Sequence, residues 1–158
     1  MNYYFDNTKT TSSKIIQEEY FPVIIEFSSE ELNNKFLEFN YTDTDMFEVS
    51  VNPETYEIKR FSLTLCNHYS FVDAIMVLPT YEEGILHITG PTTTECSLFN
   101  ANVYKDGLEI RISSELASRY LKSGQLIFAL TENNKLTSVF ITELTPNNID
   151  HVKTELTF

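Results

Sequence analysis

Short runs in which apolar and polar residues alternate recur along this chain, and a period of two predicts β-strands with one face on a core. Residues 46–51 and 56–65 show the alternation most clearly, since every second position in their central parts is apolar. Between them, Pro53 suits the first central position of a turn, because its ring fixes φ near the value required there. The two runs therefore predict a β-hairpin.

Two more hairpins are predicted in the second half of the chain. Residues 103–112 hold apolar runs on both sides of Lys105-Asp106-Gly107, and Asp-Gly tolerates the positive φ of a tight turn. Residues 126–144 repeat the arrangement around a polar turn at residues 132–135. Single strands are predicted at residues 21–27, 71–78 and 84–89, where β-branched and other apolar residues cluster.

Helical signals are few and short. Ser28 followed by Glu30 and Glu31 predicts a helix start, with the helix reaching residue 36 or 39, because a Ser hydroxyl can cap the first amides and early carboxylates favour the positive end of the helix dipole. Residues 146–152 predict one or two further helical turns with Thr145 as the cap.

These elements together predict a mainly β protein, built as an antiparallel sandwich, curled sheet or open barrel with one or two short helices. The 158 residues fit a single domain, 1–158. Residues 1–20 are polar and have no sustained period, so we expect an irregular N-terminal arm with at most one short strand.

The formal charge of the chain is −12, and most of it lies in the first two-thirds: −7 in residues 1–50, −4 in 51–100 and −1 in 101–158. This acidity repels nucleic-acid phosphates and anionic membrane surfaces, so neither is an expected partner. It attracts basic proteins and speeds their association; the alternative is that the acidity only keeps the protein soluble. The sequence has no apolar run of membrane-spanning length and no secretion signal at its start, so we expect a cytoplasmic protein.

Candidates for enzyme chemistry are sparse. The four glycines are too far apart to form a phosphate-binding loop, and no spacing of Cys or His suits zinc, so we expect no cofactor and no metal. Cys66-Asn67-His68 is the one local pairing of a nucleophile with a base, but residues two apart on a strand lie too far apart for direct contact. We therefore expect no enzymatic activity, and free, dispensable thiols at Cys66 and Cys96.

Acidic residues and tyrosines cluster in the predicted loops. Asp43 and Asp45 are two apart, as in calcium-binding loops, but no glycine follows at the bend such a loop needs, which favours a solvated loop. Tyrosine is favoured at protein interfaces because it gives a rigid contact area with a hydroxyl, while β proteins also use it at strand ends. The residues expected to contact a basic partner are Asp43, Asp45, Tyr56, Tyr81, Glu82 and Glu83.

In its acidic, tyrosine-containing loops and short hairpins the chain resembles the bacterial immunity proteins that neutralise polymorphic or contact-dependent toxins. The segments that carry the resemblance are Asp43-Thr44-Asp45, Tyr56-Glu57, Tyr81-Glu82-Glu83 and the hairpins around residues 105–110 and 128–136. The resemblance implies a protein-binding inhibitor that occludes the active site of a cognate toxin domain, often a basic nuclease. Two alternatives stay open: a β-barrel that binds a small ligand or acts as an enzyme, and a structural or assembly subunit.

Overall fold

The computed structural model describes residues 1–27 and 34–158. Strands make up 50% of it and helix 8%, which confirms the prediction of a mainly β protein. In chain order the elements are β1 (Asn2–Asp6), β2 (Lys14–Glu18), β3 (Phe21–Glu26), β4 (Lys35–Tyr41), β5 (Asp45–Val51), β6 (Ile58–Leu65), β7 (Tyr69–Phe71), β8 (Glu82–Glu83), β9 (Ile85–Thr89), β10 (Thr93–Glu95), β11 (Asn100–Val103), β12 (Leu108–Arg111), β13 (Arg119–Ser123), β14 (Leu126–Leu130), β15 (Leu136–Ile141) and α1 (Pro146–Thr157).

A six-stranded sheet has the order β10-β4-β5-β6-β3-β2. Its centre is the predicted hairpin of β5 and β6, which pair antiparallel with Phe47 opposite Leu63 and Val49 opposite Phe61. These side chains are fully buried, so the predicted face of the hairpin does lie on the core. The other pairs are antiparallel as well, except that the short edge strand β10 runs parallel to β4.

A seven-stranded sheet has the order β7-β11-β12-β15-β14-β13-β8. It contains the two other predicted hairpins, β11 with β12 and β14 with β15, both antiparallel. The edge strands β7 and β8 pair parallel with β11 and β13. Because β7 and β8 are consecutive in the chain, the residues between them must cross the whole width of this sheet.

One continuous core joins the two sheets in a β-sandwich. It includes Val49 and Phe61 from the six-stranded sheet and Phe128 and Val139 from the seven-stranded sheet. Helix α1 adds Ile149 and two further side chains to this core and contacts β3. The helix begins where the sequence predicts, since the Thr145 hydroxyl accepts the Asn148 amide and the Asn148 side chain accepts the Thr145 amide.

The N-terminal segment is more regular than the sequence predicts. Residues 1–20 contribute two strands, β1 and β2, where at most one was expected. Strand β1 pairs antiparallel with β9 as a separate two-stranded sheet, and β2 pairs with β3 at the edge of the six-stranded sheet. The partner of β1 lies far along the chain, and the partner of β2 follows it across a turn. The polar, irregular pattern of residues 1–20 did not reveal either pairing.

Two local predictions are wrong. The predicted helix start at residues 28–32 lies outside the described residues, but its continuation to residue 36 or 39 is strand β4, in which Leu37 and Phe39 are buried and every residue pairs with β5. That nonlocal pairing outweighs a weak local helix preference. The strand predicted at residues 71–78 is confined to its first residue, because β7 ends at Phe71.

Candidate functional site

Residues 72–81, here called the strap, connect the two opposite edges of the seven-stranded sheet. Six strand spacings of about 4.8 Å separate β7 from β8, a width of roughly 29 Å. The eleven residue steps from Phe71 to Glu82 span at most about 40 Å when fully extended. The strap therefore needs roughly three-quarters of its maximum reach to cross the sheet, and it bends near Ala74, whose amide donates to the Val72 carbonyl.

The strap crosses the outer face of this sheet. Along β14, Leu126, Phe128 and Leu130 belong to the sandwich core, so the residues between them point to the opposite face. Those residues, Ile127 and Ala129, pack instead with Met76 of the strap and with Phe140 of β15 in a second apolar cluster. Met76 is thus the buried anchor of the strap on the outer face.

Polar contacts fix the first half of the strap beside the turn between β11 and β12. The Met76 amide donates to Asp106 Oδ1 at 2.9 Å, and the Lys105 amide donates to the Ala74 carbonyl at 2.9 Å. A side chain at Gly107 would place its Cβ 2.5 Å from Met76 Cε, so the glycine allows the close approach. Residues 77–81 make no hydrogen bond to the part of the chain that the structure describes.

Large apolar side chains project from the strap into solvent on both sides of the anchor. Ile75 is 68% exposed and Val77 89%, and Leu78 is also exposed. Leu116, from the loop after β12, is 86% exposed and lines a small groove with Tyr120 and other residues of the same outer face. Single exposed apolar residues are ordinary, but several on one ordered segment indicate an interaction site.

Charged residues lie at the two ends of the strap. Near its start, Asp73 pairs with Lys105 at 3.3 Å, and just beyond its end Glu82 pairs with Arg119 at 3.3 Å. Glu83 is exposed and has no ion pair among the described residues. Exposed ion pairs of this kind contribute little to stability, so these carboxylates can exchange their partners readily.

The predicted partner-binding residues do not form one cluster. Tyr81, Glu82 and Glu83 are contiguous at the end of the strap, and all are exposed. Asp43 is exposed in the turn before β5, whereas Tyr56 is exposed in the turn after β5. Six strand rises of about 3.4 Å along β5 separate these turns by roughly 20 Å. Asp43 and Tyr56 therefore lie at opposite ends of the six-stranded sheet.

The prediction that Asp45 contacts a partner is wrong, because this residue is only 1% exposed. Its carboxylate accepts the amides of Asn67 and His68 at 2.7 and 3.1 Å, His68 Nδ1 at 2.6 Å and the Thr44 hydroxyl at 2.7 Å. Burial acts to raise the pKa of Asp45, but these hydrogen bonds outweigh it and hold the pKa below its usual value. Asp45 is therefore an internal anchor for the turn between β6 and β7.

Cys66 and Cys96 are free thiols, as expected. Cys66 Sγ donates to the backbone carbonyl of His68, while the His68 ring is turned to Asp45, so thiol and imidazole do not form a nucleophile–base pair. Burial, helped by the negative charge of Asp45, raises the pKa of Cys66 to about 12. Burial also raises the pKa of Cys96 to about 12. Both thiols are therefore protonated and poorly nucleophilic near neutral pH.

The chain also has a cavity of about 360 Å³ beside Cys96, at one end of the sandwich. Tyr3, Phe39, Thr94 and Ile112 contribute to its wall. Thr94 Oγ1 is buried without a hydrogen-bond partner among the described residues, and burial, with Cys96 nearby, raises the pKa of Tyr3. The cavity has the size of a small-molecule site and carries polar groups in a mainly apolar wall.

The sequence did not reveal the strap, although it contains the apolar run that forms it. Residues 74–78 are apolar without alternation, a pattern typical of a strand buried on both faces. Pro79, which cannot donate a backbone hydrogen bond, was the available signal that the run leaves the sheet.

A scan of known protein families finds none that matches the chain, and a search of curated proteins finds no match. Within residues 1–27 and 34–158, no three His, Cys, Asp or Glu side chains gather closely enough to hold a metal ion. In the same residues the helix α1 has 12 residues, fewer than a helical crossing of a bilayer needs.

Proposed function

We propose that this protein is a protein-binding inhibitor whose strap docks on a basic partner. The observation that carries the proposal is the exposure of Ile75, Val77 and Leu78 on a segment anchored by the buried Met76. Their exposed fractions amount to about two full side chains, so covering them contributes roughly 3–6 kcal/mol to binding. This contribution is enough to form the apolar centre of an interface.

The charge of the chain supports a basic partner. Residues 1–100 carry −11 of the −12, and Asp73, Glu82 and Glu83 stand at the ends of the strap. Charges at the rim of an interface act mainly on the association rate, while buried apolar contacts act on dissociation. With the resemblance to immunity proteins, this favours a toxin domain as the partner, inhibited by occlusion of its active site.

The test uses a toxin encoded beside the gene of this protein, with bacterial growth and binding kinetics as the measurements. We expect co-expression of the wild-type protein to restore growth. Val77→Ser with Ile75→Ser should speed dissociation and abolish rescue, while Leu65→Ser, at an exposed apolar position outside the strap, should change neither. Rescue that survives the strap substitutions would contradict the proposal.

Salt and charge substitutions test the electrostatic part separately. Screening acts over about 8 Å at physiological salt, so added salt should slow association more than it changes dissociation. Glu82→Gln with Glu83→Gln should do likewise. Association that is indifferent to both changes would leave the acidity with a role in solubility alone.

The cavity beside Cys96 favours binding of a small ligand as a second candidate function, because Thr94, which lines it, has a buried Oγ1 without a hydrogen-bond partner among the described residues. A metabolite library screened by thermal shift tests it, since a ligand that binds the folded state raises Tm. Ser113→Phe puts a larger side chain in the wall of the cavity, so it should remove any rise in Tm caused by a ligand bound there.

A further inference from the structure

A second cleft, of about 370 Å³, lies between the two-stranded sheet and the turn after β5. Its wall is mainly aromatic, and its lining includes Tyr4, Tyr56 and His87, with Thr55, Asn2 and Thr89. Tyr4 is directly opposite His87 in the pairing of β1 with β9, and their ring centroids are 5.4 Å apart. Residues directly opposite each other in a sheet point to the same face, so these two rings form one wall.

The turn after β5 supplies the other aromatic residue of the cleft, Tyr56. Tyr56 has φ of 62°, a left-handed conformation that is uncommon for a residue other than glycine. Its carbonyl accepts the Ile88 amide at 2.9 Å, and its amide donates to the Asn52 carbonyl at 2.8 Å. The backbone of Tyr56 is therefore held both by its own turn and by β9.

The ring of His87 is oriented by its contact with the same turn. Nδ1 lies 2.8 Å from the Thr55 carbonyl, which can only accept, so Nδ1 carries a proton. Nε2 has no hydrogen-bond partner among the described residues.

Two carboxylates lie near the cleft but outside its lining. Asp6 is two residues from Tyr4 on β1 and hence on the same face, and Glu57 is paired across from His87 on its other side. Hydrogen bonds from Thr8 lower the pKa of Asp6, so it is ionised. Lys59 pairs with Glu57 at 3.3 Å, and the positive charge of Lys9 also acts on Asp6.

We propose that the cleft between Tyr4, Tyr56 and His87 binds an organic cation, a substituted ammonium or a guanidinium group. The faces of aromatic rings are electronegative and attract such cations, and these three aromatic side chains line this cleft. The cleft is separate from the strap, so its ligand does not depend on the proposed inhibitor function.

The test compares choline with 3,3-dimethylbutan-1-ol, which has the same shape without the charge. Each is titrated into the ¹⁵N-labelled protein, and the amide signals of Tyr56, Glu57 and His87 are followed. We expect choline to shift these signals and to bind about two- to thirty-fold more tightly than the alcohol, the range that cation–π contacts supply. Equal affinity for both compounds, or no shift at these amides, overturns the proposal.

Two variants of Tyr4 separate the role of its ring from a general effect on folding. Tyr4→Phe keeps the ring face and should retain choline binding, whereas Tyr4→Leu should lose most of it. Tyr20→Leu is the matched control, because Tyr20 is 63% exposed and Tyr4 66%, and Tyr20 is not part of the cleft. If Tyr4→Leu retains as much choline binding as Tyr20→Leu, that result also overturns the proposal.

The source of the cation is read from two further probes, the N-acetyl N-methylamides of lysine and arginine. Tighter binding of either than of choline assigns the cleft to a basic side chain of another protein. Tighter binding of choline assigns it to a free quaternary amine. Either result supports the cation site, and neither depends on whether the strap variants affect growth.

Discussion

Replacing Asp45 tests whether one buried carboxylate holds the turn between β6 and β7. In Asp45→Ala the amides of Asn67 and His68 lose their acceptor, and a hydrogen bond to a charged group contributes about 1.5–3 kcal/mol. The Thr44 hydroxyl and the half-exposed His68 ring can turn to water, so their loss adds little. We expect the free energy of unfolding to fall by about 3–5 kcal/mol, measured by urea denaturation at pH 7.

The pH dependence of this loss provides a second measurement. The pKa of Asp45 is lowered in the folded state, so its contribution is complete above the pKa of the unfolded chain and disappears as pH falls through the folded value. An unfolded Asp titrates near pH 3.9, so the difference between wild type and Asp45→Ala should shrink below about pH 4.

Two matched variants make the result interpretable. Asp43→Ala removes an exposed carboxylate two residues away and should change stability by less than about 0.5 kcal/mol. Asp45→Asn keeps one acceptor oxygen for the two amides and should fall between the other variants. If Asp45→Ala costs no more than Asp43→Ala, or if the difference persists unchanged in acid, then Asp45 does not anchor the turn.

Three further predictions concern other parts of the chain. Burial and the Glu38 carboxylate opposite it raise the pKa of Glu48. Glu48→Gln should therefore raise the free energy of unfolding by about 0.2–1 kcal/mol at pH 7, and this gain should vanish near pH 4. Thermal unfolding of both proteins at the two pH values measures the difference. Because Cys66 and Cys96 each have a pKa of about 12, both should react with an aromatic disulfide at least about 100-fold more slowly than free cysteine at pH 8. In urea both should react at the rate of free cysteine. Alanine at both positions should leave function intact. Met76→Ala should cost about 2–3 kcal/mol and speed hydrogen exchange at its amide, whereas unchanged exchange would mean that the strap is held elsewhere.

The hairpins were predictable because their information is local. Residues 103–112 combine alternation with Asp-Gly, and the structure turns there with Val103 opposite Leu108. Thr145 and Pro146 likewise start the C-terminal helix where predicted, since capping involves neighbouring residues. The pairings that were missed, such as β1 with β9 and β7 with β11, join segments about thirty or more residues apart, and no local pattern specifies them.

The candidate site shows the same limit. Asp43 and Asp45 look alike in the sequence, but one is solvated and the other is buried because the turn at Asn67 and His68 folds back on it. The exposure of Ile75 and Val77 follows from the separation of β7 and β8 at opposite sheet edges. Tyr56 was selected as an exposed loop residue, whereas its place beside His87 depends on the bridge between Glu57 and His87.

The positions of the strap and the aromatic cleft, compared with the size of a standard interface, bear on whether one partner contacts both. A standard interface buries about 800 Å² per partner, equivalent to a disc of roughly 16 Å radius. Centred on Val77, such a disc reaches both ends of the strap, which lie about 15 Å away at half the width of the sheet, so Glu82 and Glu83 fall at its rim. Five further residues, spanning about 17 Å when extended, lead from Glu83 to Ile88 beside Tyr56. That span is only an upper limit, but none of the residues that line the cleft belongs to the strap, so we expect the strap and the cleft to be occupied independently.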